Sequence, residues 1–300
     1  MNRKLQHYYE LILRNWLENG SRAYSSDPDF WEELARNSIR SAADDPASAD
    51  GFGKRVTSAA GFLRAHGLLQ KDQTVLDIGC GAGYFTVEFA RTAGQVTGMD
   101  ISPSLCAEAK RKAGALGLSN VEIVNRDFYS FDPDKEGALG KYDLVVASLL
   151  PGSNTVEGFR KIQALSRGSC FAAYLIETKC PLYEEAAALA AGEDLRKPSG
   201  RIMHFLFPFN ILCLEGFLPE VTFFEETVTH IAPVCETDLS TVKRLWPNHD
   251  FSEEEKQKIL LTLRDRADPD GNLRASFTNR IGCMLWKVEK DPADQKGNLN

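Results

Sequence analysis

Residues 74–86 combine an acid, closely spaced glycines and the start of a helix, a pattern suited to holding a small ligand. Residues 74–78 are apolar or β-branched apart from Asp77 and predict a buried strand of a parallel sheet. A glycine loop follows, and a helical pattern begins at Tyr84. Glycine lets the backbone approach a ligand closely, and the helix start offers unpaired N–H groups. Strand, glycine loop and helix together predict the first half of a nucleotide-binding βαβ unit.

The spacing of the glycines distinguishes two classes of cofactor. Dinucleotide-binding folds carry G-x-G-x-x-G, whereas this loop reads G-x-G-x-G, with Asp77 two residues before the first glycine. Over Val75–Gly83 the sequence VLDIGCGAG resembles motif I of the class I S-adenosylmethionine-dependent methyltransferases, usually V-L-D-x-G-C-G-x-G. One alternative is a dinucleotide oxidoreductase, which the glycine spacing and Asp77 disfavour. The other is a tight strand-to-helix turn that binds no ligand.

The resemblance implies a fold, a cofactor and a set of contacts. The fold would be α/β, with a Rossmann-like, seven-stranded, mostly parallel sheet in the order 3-2-1-4-5-7-6 and an antiparallel last strand. The cofactor would be S-adenosylmethionine, with S-adenosylhomocysteine as its product. The implied cofactor-binding residues are Asp77, Gly79, Cys80, Gly81, Gly83, Tyr84, Asp100, Ile101, Asp127, Phe128 and Ser148. For Cys80, a small packing residue is the simpler interpretation.

Asp100 also has support from its place in the sequence. It ends a second predicted strand, Gln95–Asp100. In a βαβ unit, a carboxylate at the tip of the second strand meets the ribose of a bound adenosine, and its two oxygens can accept both ribose hydroxyls. The alternative is that Asp100 caps the next helix, for which Ser102 before Pro103 is an equally good N-cap.

The fourth predicted strand, Tyr142–Pro151, bears on the acceptor. Its C-terminal end should face the transferred methyl group, because ligands bind at the carboxyl ends of parallel strands. Methyltransferases that act on exocyclic amines of DNA bases, and some that act on glutamine or RNA amines, carry an N-P-P-Y-like tetrapeptide there. This chain has Ser148-Leu149-Leu150-Pro151, which disfavours N-methylation of base amines or of glutamine amides and leaves other nucleic-acid targets open. No His, Cys or Asp cluster has the spacing of zinc ligands, and we expect transfer without a metal.

The expected reaction asks little covalent chemistry of the protein. Transfer from a sulfonium is an in-line displacement, which positioning and exclusion of water promote. A poor nucleophile also needs a general base, for which His204 is the first candidate, ahead of Glu177 and His230. A packed histidine is the simpler interpretation of His204. The candidate substrate pocket consists of Trp31, Leu149, His204 and Phe205, although core packing also explains the aromatic residues.

Composition narrows the class of protein. The chain has 300 residues, 43% hydrophobic and 26% charged, which are ordinary globular values. A net charge of −7 disfavours a general nucleic-acid surface. We found no bilayer-spanning run and no signal peptide, and the seven cysteines form no C-x-x-C pair. We therefore expect a cytoplasmic enzyme with a small-molecule acceptor. The alternatives are an RNA or protein methyltransferase and a non-catalytic regulator that binds S-adenosylmethionine.

The pattern along the chain predicts three parts. Residues 1–53 form an N-terminal helical extension with helices near 5–16 and 29–40 and a mobile loop at 41–53. Residues 54–290 form the cofactor-binding domain, with substrate-side insertions around 180–216 and 238–272, and residues 291–300 form a disordered tail. The apolar face of the first helix packs on the body of the protein or on a second subunit, which makes a homodimer a candidate assembly.

Overall fold

A computed structural model describes residues 3–19, 29, 31, 32, 35, 36, 46–192, 201–246 and 249–288. The helices of this part of the chain are α1 (Arg3–Asn19), α2 (Pro46–Ala65), α3 (Tyr84–Ala90), α4 (Pro103–Ala115), α5 (Val156–Leu165), α6 (Pro181–Ala191), α7 (Ile202–Leu214), α8 (Thr237–Leu245) and α9 (Glu253–Asp265). The strands are β1 (Thr74–Ile78), β2 (Gln95–Asp100), β3 (Val121–Asn125), β4 (Tyr142–Ser148), β5 (Ser166–Lys179), β6 (Glu220–Pro233) and β7 (Asn272–Lys287). The predicted tail at 291–300 lies outside the described residues, as do 37–45.

The seven strands form one sheet in the order β3-β2-β1-β4-β5-β7-β6, which confirms the predicted topology. The pairs from β3 to β5 are parallel, and β7 runs antiparallel to both of its neighbours. Successive strands are therefore added on opposite sides of β1, with β2 on one side and β4 on the other, so that the strand order changes direction between β1 and β4. Such a switch point is where open α/β sheets bind ligands, beyond the carboxyl ends of the strands.

Helices cover both faces of the sheet. On one face, α2 and α3 bury residues such as Leu63 and Phe89 against the sheet core. On the other face, α1, α5 and α7 enclose Trp16, Phe159 and Trp286. Trp16 is the anchor of α1, since its indole Nε1 donates to the carbonyl of Asn154. Among the described residues, no helix is long and apolar enough to cross a membrane.

The strands on one side of β4 extend further past its C-terminal end than those on the other side. Ser148, the last residue of β4, pairs with Ala173, and β5 then continues to Lys179. Six residues of strand span about 20 Å, so β5, β7 and β6 form a wall past the end of β4. Beyond this wall, α6, α8 and α9 pack with Leu273 and Ala275 of β7 in a separate apolar cluster. The wall adjoins the edge of the sheet where a ligand is expected.

The structure corrects the predicted loop at 41–53 over residues 46–53. There α2 begins at Pro46, and the predicted domain boundary after residue 53 falls inside this helix. Proline is well tolerated in the first turn of a helix, and the helix is fixed by the burial of its C-terminal half, from Val56 to Leu63. The sequence around 46–53 is rich in small and acidic residues, which hid this extension. The division into three parts stays a prediction.

Candidate cofactor site

The glycine loop is fixed by β2 on one side and by α4 on the other. The N–H groups of Gly79 and Cys80 donate to the carbonyl of Met99 at 2.8 and 3.0 Å. Gly83 has φ +81°, and a Cβ there would lie 2.7 Å from the Cβ of Ala109 in α4. Gly81 has φ +54°, and a Cβ there would meet no atom within 4 Å. Gly83 therefore serves packing, whereas Gly81 faces open space.

Asp100 is oriented by backbone groups on both sides. Its Oδ2 accepts a hydrogen bond from the N–H of Gly81 at 2.8 Å, and its Oδ1 accepts one from the N–H of Ser102 at 2.9 Å. Burial raises the pKa of Asp100, and these backbone bonds oppose the rise. Ser102 is the N-cap of α4, accepting from the N–H of Leu105. The carboxylate is therefore not the helix cap, and each of its oxygens keeps capacity for one more donor.

The loop and Asp100 border a cleft of about 220 Å³ at the switch point of the sheet. Seven predicted residues line it, namely Trp31, Gly79, Gly81, Asp100, Ile101, Phe128 and Leu149. The other lining residues were not among the predicted site residues, and they are Ala35, Met99, Ser102, Leu105, Arg126, Tyr129, Leu150 and Pro151. Trp31 was assigned to the acceptor pocket, but it shares the cleft with Asp100 and Phe128.

Three residues predicted to bind the cofactor at or beside the glycine loop, Asp77, Cys80 and Tyr84, are not among those that line the cleft. Asp77 is 2% exposed and accepts a hydrogen bond from Thr86 Oγ1 at 2.6 Å. Burial raises the pKa of Asp77 to about 7. Cys80 is buried, and its Sγ would lie 3.0 Å from a Cβ added at Gly98, as a small packing residue should. Tyr84 lies under the ammonium of Lys112, 3.9 Å from the ring centroid.

Asp127 and Ser148 also differ from the cleft-lining residues. Asp127 accepts hydrogen bonds from the N–H groups of Tyr129 and Ser130, at 2.9 and 3.3 Å, within its own turn. The Oγ of Ser148 is buried at the end of β4 and has no hydrogen-bond partner among the described residues. An unpaired buried hydroxyl costs free energy. It is thus a candidate contact for a ligand.

The segment after β4 brings an unusual backbone to the cleft. Leu149 has φ +52°, which is uncommon for a residue with a branched side chain. Its N–H donates to the carbonyl of Ala173 at 2.9 Å. The hydroxyl of Tyr129 donates to the carbonyl of Pro151 at 3.0 Å, and a Cβ on Gly152 would lie 1.3 Å from that hydroxyl. Because a side chain at position 152 would occupy the place of the Tyr129 hydroxyl, this contact requires Gly152.

The predicted catalytic candidates do not line this cleft. His204 and Phe205 lie in α7, where Phe205 stacks on Phe209 at 5.9 Å. Burial lowers the pKa of His204, with a further contribution from Arg201. Glu177 lies near the end of β5 beside Lys179, and His230 lies on β6 against Phe277. The role of these residues in catalysis stays a prediction.

Comparison with known proteins agrees with this geometry. Residues 75–167 match the family model described as "Methyltransferase domain". Residues 75–167 therefore carry a methyltransferase domain, and their strand order and glycine loop are those of the class I S-adenosylmethionine-dependent methyltransferases.

Among its relatives is a ribosomal protein L11 methyltransferase of Clostridium botulinum, 28% identical over 144 residues, which cover 47% of this chain and 44% of that protein. Another is the 23S rRNA (uracil(1939)-C(5))-methyltransferase RlmD of Marinomonas posidonica, 40% identical over 74 residues, covering 25% and 16%. The chain thus spans less than half the length of these curated relatives. Among solved structures, magnesium protoporphyrin IX methyltransferase from Synechocystis PCC 6803 with bound S-adenosylmethionine is 15% identical, with a TM-score of 0.49, over 88% of this chain and 99% of that one.

Proposed function

We propose that this protein transfers the methyl group of S-adenosylmethionine to a small-molecule acceptor by direct, metal-independent displacement. The observation that carries the proposal is the pairing of Asp100 with Gly81. A backbone-oriented carboxylate at the end of β2 stands beside a glycine whose missing side chain leaves the cleft open. A carboxylate fits the two ribose hydroxyls, and the glycine loop fits close approach of the ligand to the backbone.

The residues of the chain supply binding, orientation and exclusion of water. Bound S-adenosylmethionine would supply a methyl group already activated by its sulfonium. Asp100 would accept the ribose hydroxyls, and Ile101 and Phe128 would pack against the adenine as the family resemblance implies. Leu149 and Pro151, at the end of β4, would form the apolar border nearest to the reacting atoms. Positioning of this kind accelerates a displacement because the two reactants meet in a fixed geometry.

Two features favour a small acceptor. The wall of β5, β7 and β6 rises past the end of β4 and limits access from that side. The net charge of −7 gives no general attraction for nucleic acid. The names of the relatives support the alternative, an acceptor in RNA or in a protein. Activity assays with both classes of acceptor distinguish the two.

The first test is calorimetric titration with S-adenosylhomocysteine, S-adenosylmethionine and NAD in parallel. We expect the first two ligands to bind. Replacing Asp100 with alanine should weaken both by about 1.5–3 kcal/mol, since a hydrogen bond to a charged group is lost. That range corresponds to roughly 12-fold to 160-fold in the dissociation constant.

The matched control is Asp72→Ala, which removes an exposed acid before β1 and should leave binding unchanged. Binding of NAD alone would overturn the methyltransferase proposal. Equal affinity of the wild type and the Asp100→Ala variant would show that Asp100 does not bind the ribose.

A further inference from the structure

Glu32 makes a long-range contact with the start of α4. Its carboxylate accepts hydrogen bonds from the Ser102 hydroxyl at 2.6 Å, from the Ser104 N–H at 3.3 Å and from the Ser104 hydroxyl. Ser102 also donates its N–H to Asp100. A carboxylate in this position is stabilised by the unpaired N–H groups and the positive end of the helix. Two hydrogen bonds, both made by Ser102, therefore connect Glu32 with Asp100, the proposed acceptor of the ribose hydroxyls.

The neighbours of Glu32 form part of the cleft itself. Trp31 and Ala35 line it together with Phe128 and Leu105, and Ala35 is 2% exposed. These residues precede the family's glycine loop by more than forty positions, so motif I does not include them. The described N-terminal residues thus contribute one side of the cleft next to Asp100.

We propose that Trp31 and Glu32 belong to the cofactor site, with Trp31 contacting the adenosine and Glu32 holding it there through the start of α4. This inference rests on the proposed function, because it takes S-adenosylmethionine as the ligand. Trp31 is then a binding residue for the cofactor and not for the acceptor. Glu32 is a positioning residue, which acts through Ser102 on Asp100 and through the chain on Trp31.

The charge of Glu32 suits a fixed anchor. The hydrogen bonds from Ser102 and Ser104 lower the pKa of Glu32 to about 2. The carboxylate is therefore ionised throughout the neutral pH range. Arg36, one turn further along, donates to its Oε1 at 3.2 Å. Because the serine contacts and the ion pair both favour the charged form, Glu32 keeps the same protonation state during turnover.

Tryptophan fluorescence tests the position of Trp31 directly. Trp16 and Trp286 are buried in the sheet core, and Trp246 packs in the separate cluster with α9. Titration with S-adenosylhomocysteine should therefore change the emission of Trp31 alone. In Trp31→Phe the ligand-dependent change should disappear, whereas Trp246→Phe, the matched control, should keep it. An undiminished change in Trp31→Phe would overturn the assignment of Trp31.

The positioning role of Glu32 is tested by affinity. We expect Glu32→Ala to weaken binding of S-adenosylhomocysteine by at least about tenfold, since charged hydrogen bonds that hold the site are lost. Glu32→Gln keeps one acceptor oxygen and should show a smaller loss. Asp29→Ala, an exposed acid of the same segment, is the control and should bind as the wild type does.

A coupled substitution separates positioning from a general effect on folding. If Glu32 acts through the serines, Ser104→Ala and Glu32→Ala should be non-additive in ligand affinity. Additive losses, or wild-type affinity in Glu32→Ala, would overturn the role of Glu32. A wild-type protein that binds no S-adenosylhomocysteine by calorimetry would overturn the proposed function and this inference with it. Normal wild-type binding with unaffected variants would overturn the inference alone.

Discussion

Valine in place of Gly81 is expected to abolish detectable binding of S-adenosylhomocysteine, a loss of at least about 100-fold. The added side chain would project from a backbone whose Cβ direction meets no protein atom within 4 Å, so it would occupy the cleft. The φ of +54° also disfavours a β-branched residue. Calorimetric titration of the variant against the wild type measures the loss.

Gly117 provides the matched control for backbone strain. It has φ +65° and open space around its Cβ direction, and it lies between α4 and β3, outside the residues that line the cleft. Gly117→Val should lose stability from the same strain but retain ligand affinity. Wild-type affinity in Gly81→Val would show that the ligand binds elsewhere and that the site is misplaced.

Asparagine at position 77 is expected to stabilise the protein at neutral and alkaline pH. Burial raises the pKa of Asp77 from 3.8 to about 7. A carboxyl group whose pKa is higher in the folded protein than in the unfolded chain stabilises the fold at pH values below the unfolded pKa. This stabilisation is lost as the pH rises through the folded pKa. Each pKa unit corresponds to about 1.4 kcal/mol, so ionised Asp77 costs on the order of 4 kcal/mol above pH 7.

The stability of the Asp77→Asn variant relative to the wild type should therefore increase as pH rises. The difference in free energy of unfolding should grow by roughly 3 kcal/mol between pH 5 and pH 8 and then level off. Asparagine keeps an oxygen that can accept from the Thr86 hydroxyl, now 2.6 Å from Asp77 Oδ2. Urea unfolding at several pH values measures the difference, with exposed Asp72→Asn as the control. A pH-independent difference would mean that Asp77 does not titrate in this range.

The parts of the fold that were predictable are those with local signals. The predicted bounds of β2, Gln95–Asp100, match the structure, because its apolar residues lie between clear turn residues. The glycine loop and Asp100 follow from a motif within one βαβ unit, where sequence neighbours are also neighbours in space. The order of the strands followed from the family resemblance and not from periodicity.

The parts that were missed depend on contacts between distant segments. Nothing near Glu32 indicates that its carboxylate meets Ser102 and Ser104, which lie seventy positions or more further along. The resemblance implies Asp127 as a cofactor contact, which stays a prediction, and the same side chain accepts from the N–H groups of its own turn. Local pattern alone does not decide between these two uses of an acid.

The extension of β5, β7 and β6 past the end of β4 affects how an acceptor can approach the cleft. On the β5 side, the end of β4 is bordered by residues 174–179 of β5 and their partners in β7 and β6, which continue the sheet for about 20 Å. For a broad, rigid acceptor, these strands would restrict approach to Leu149 from that side. Under the proposed function, this one-sided restriction would weigh more on a macromolecular acceptor than on a small molecule.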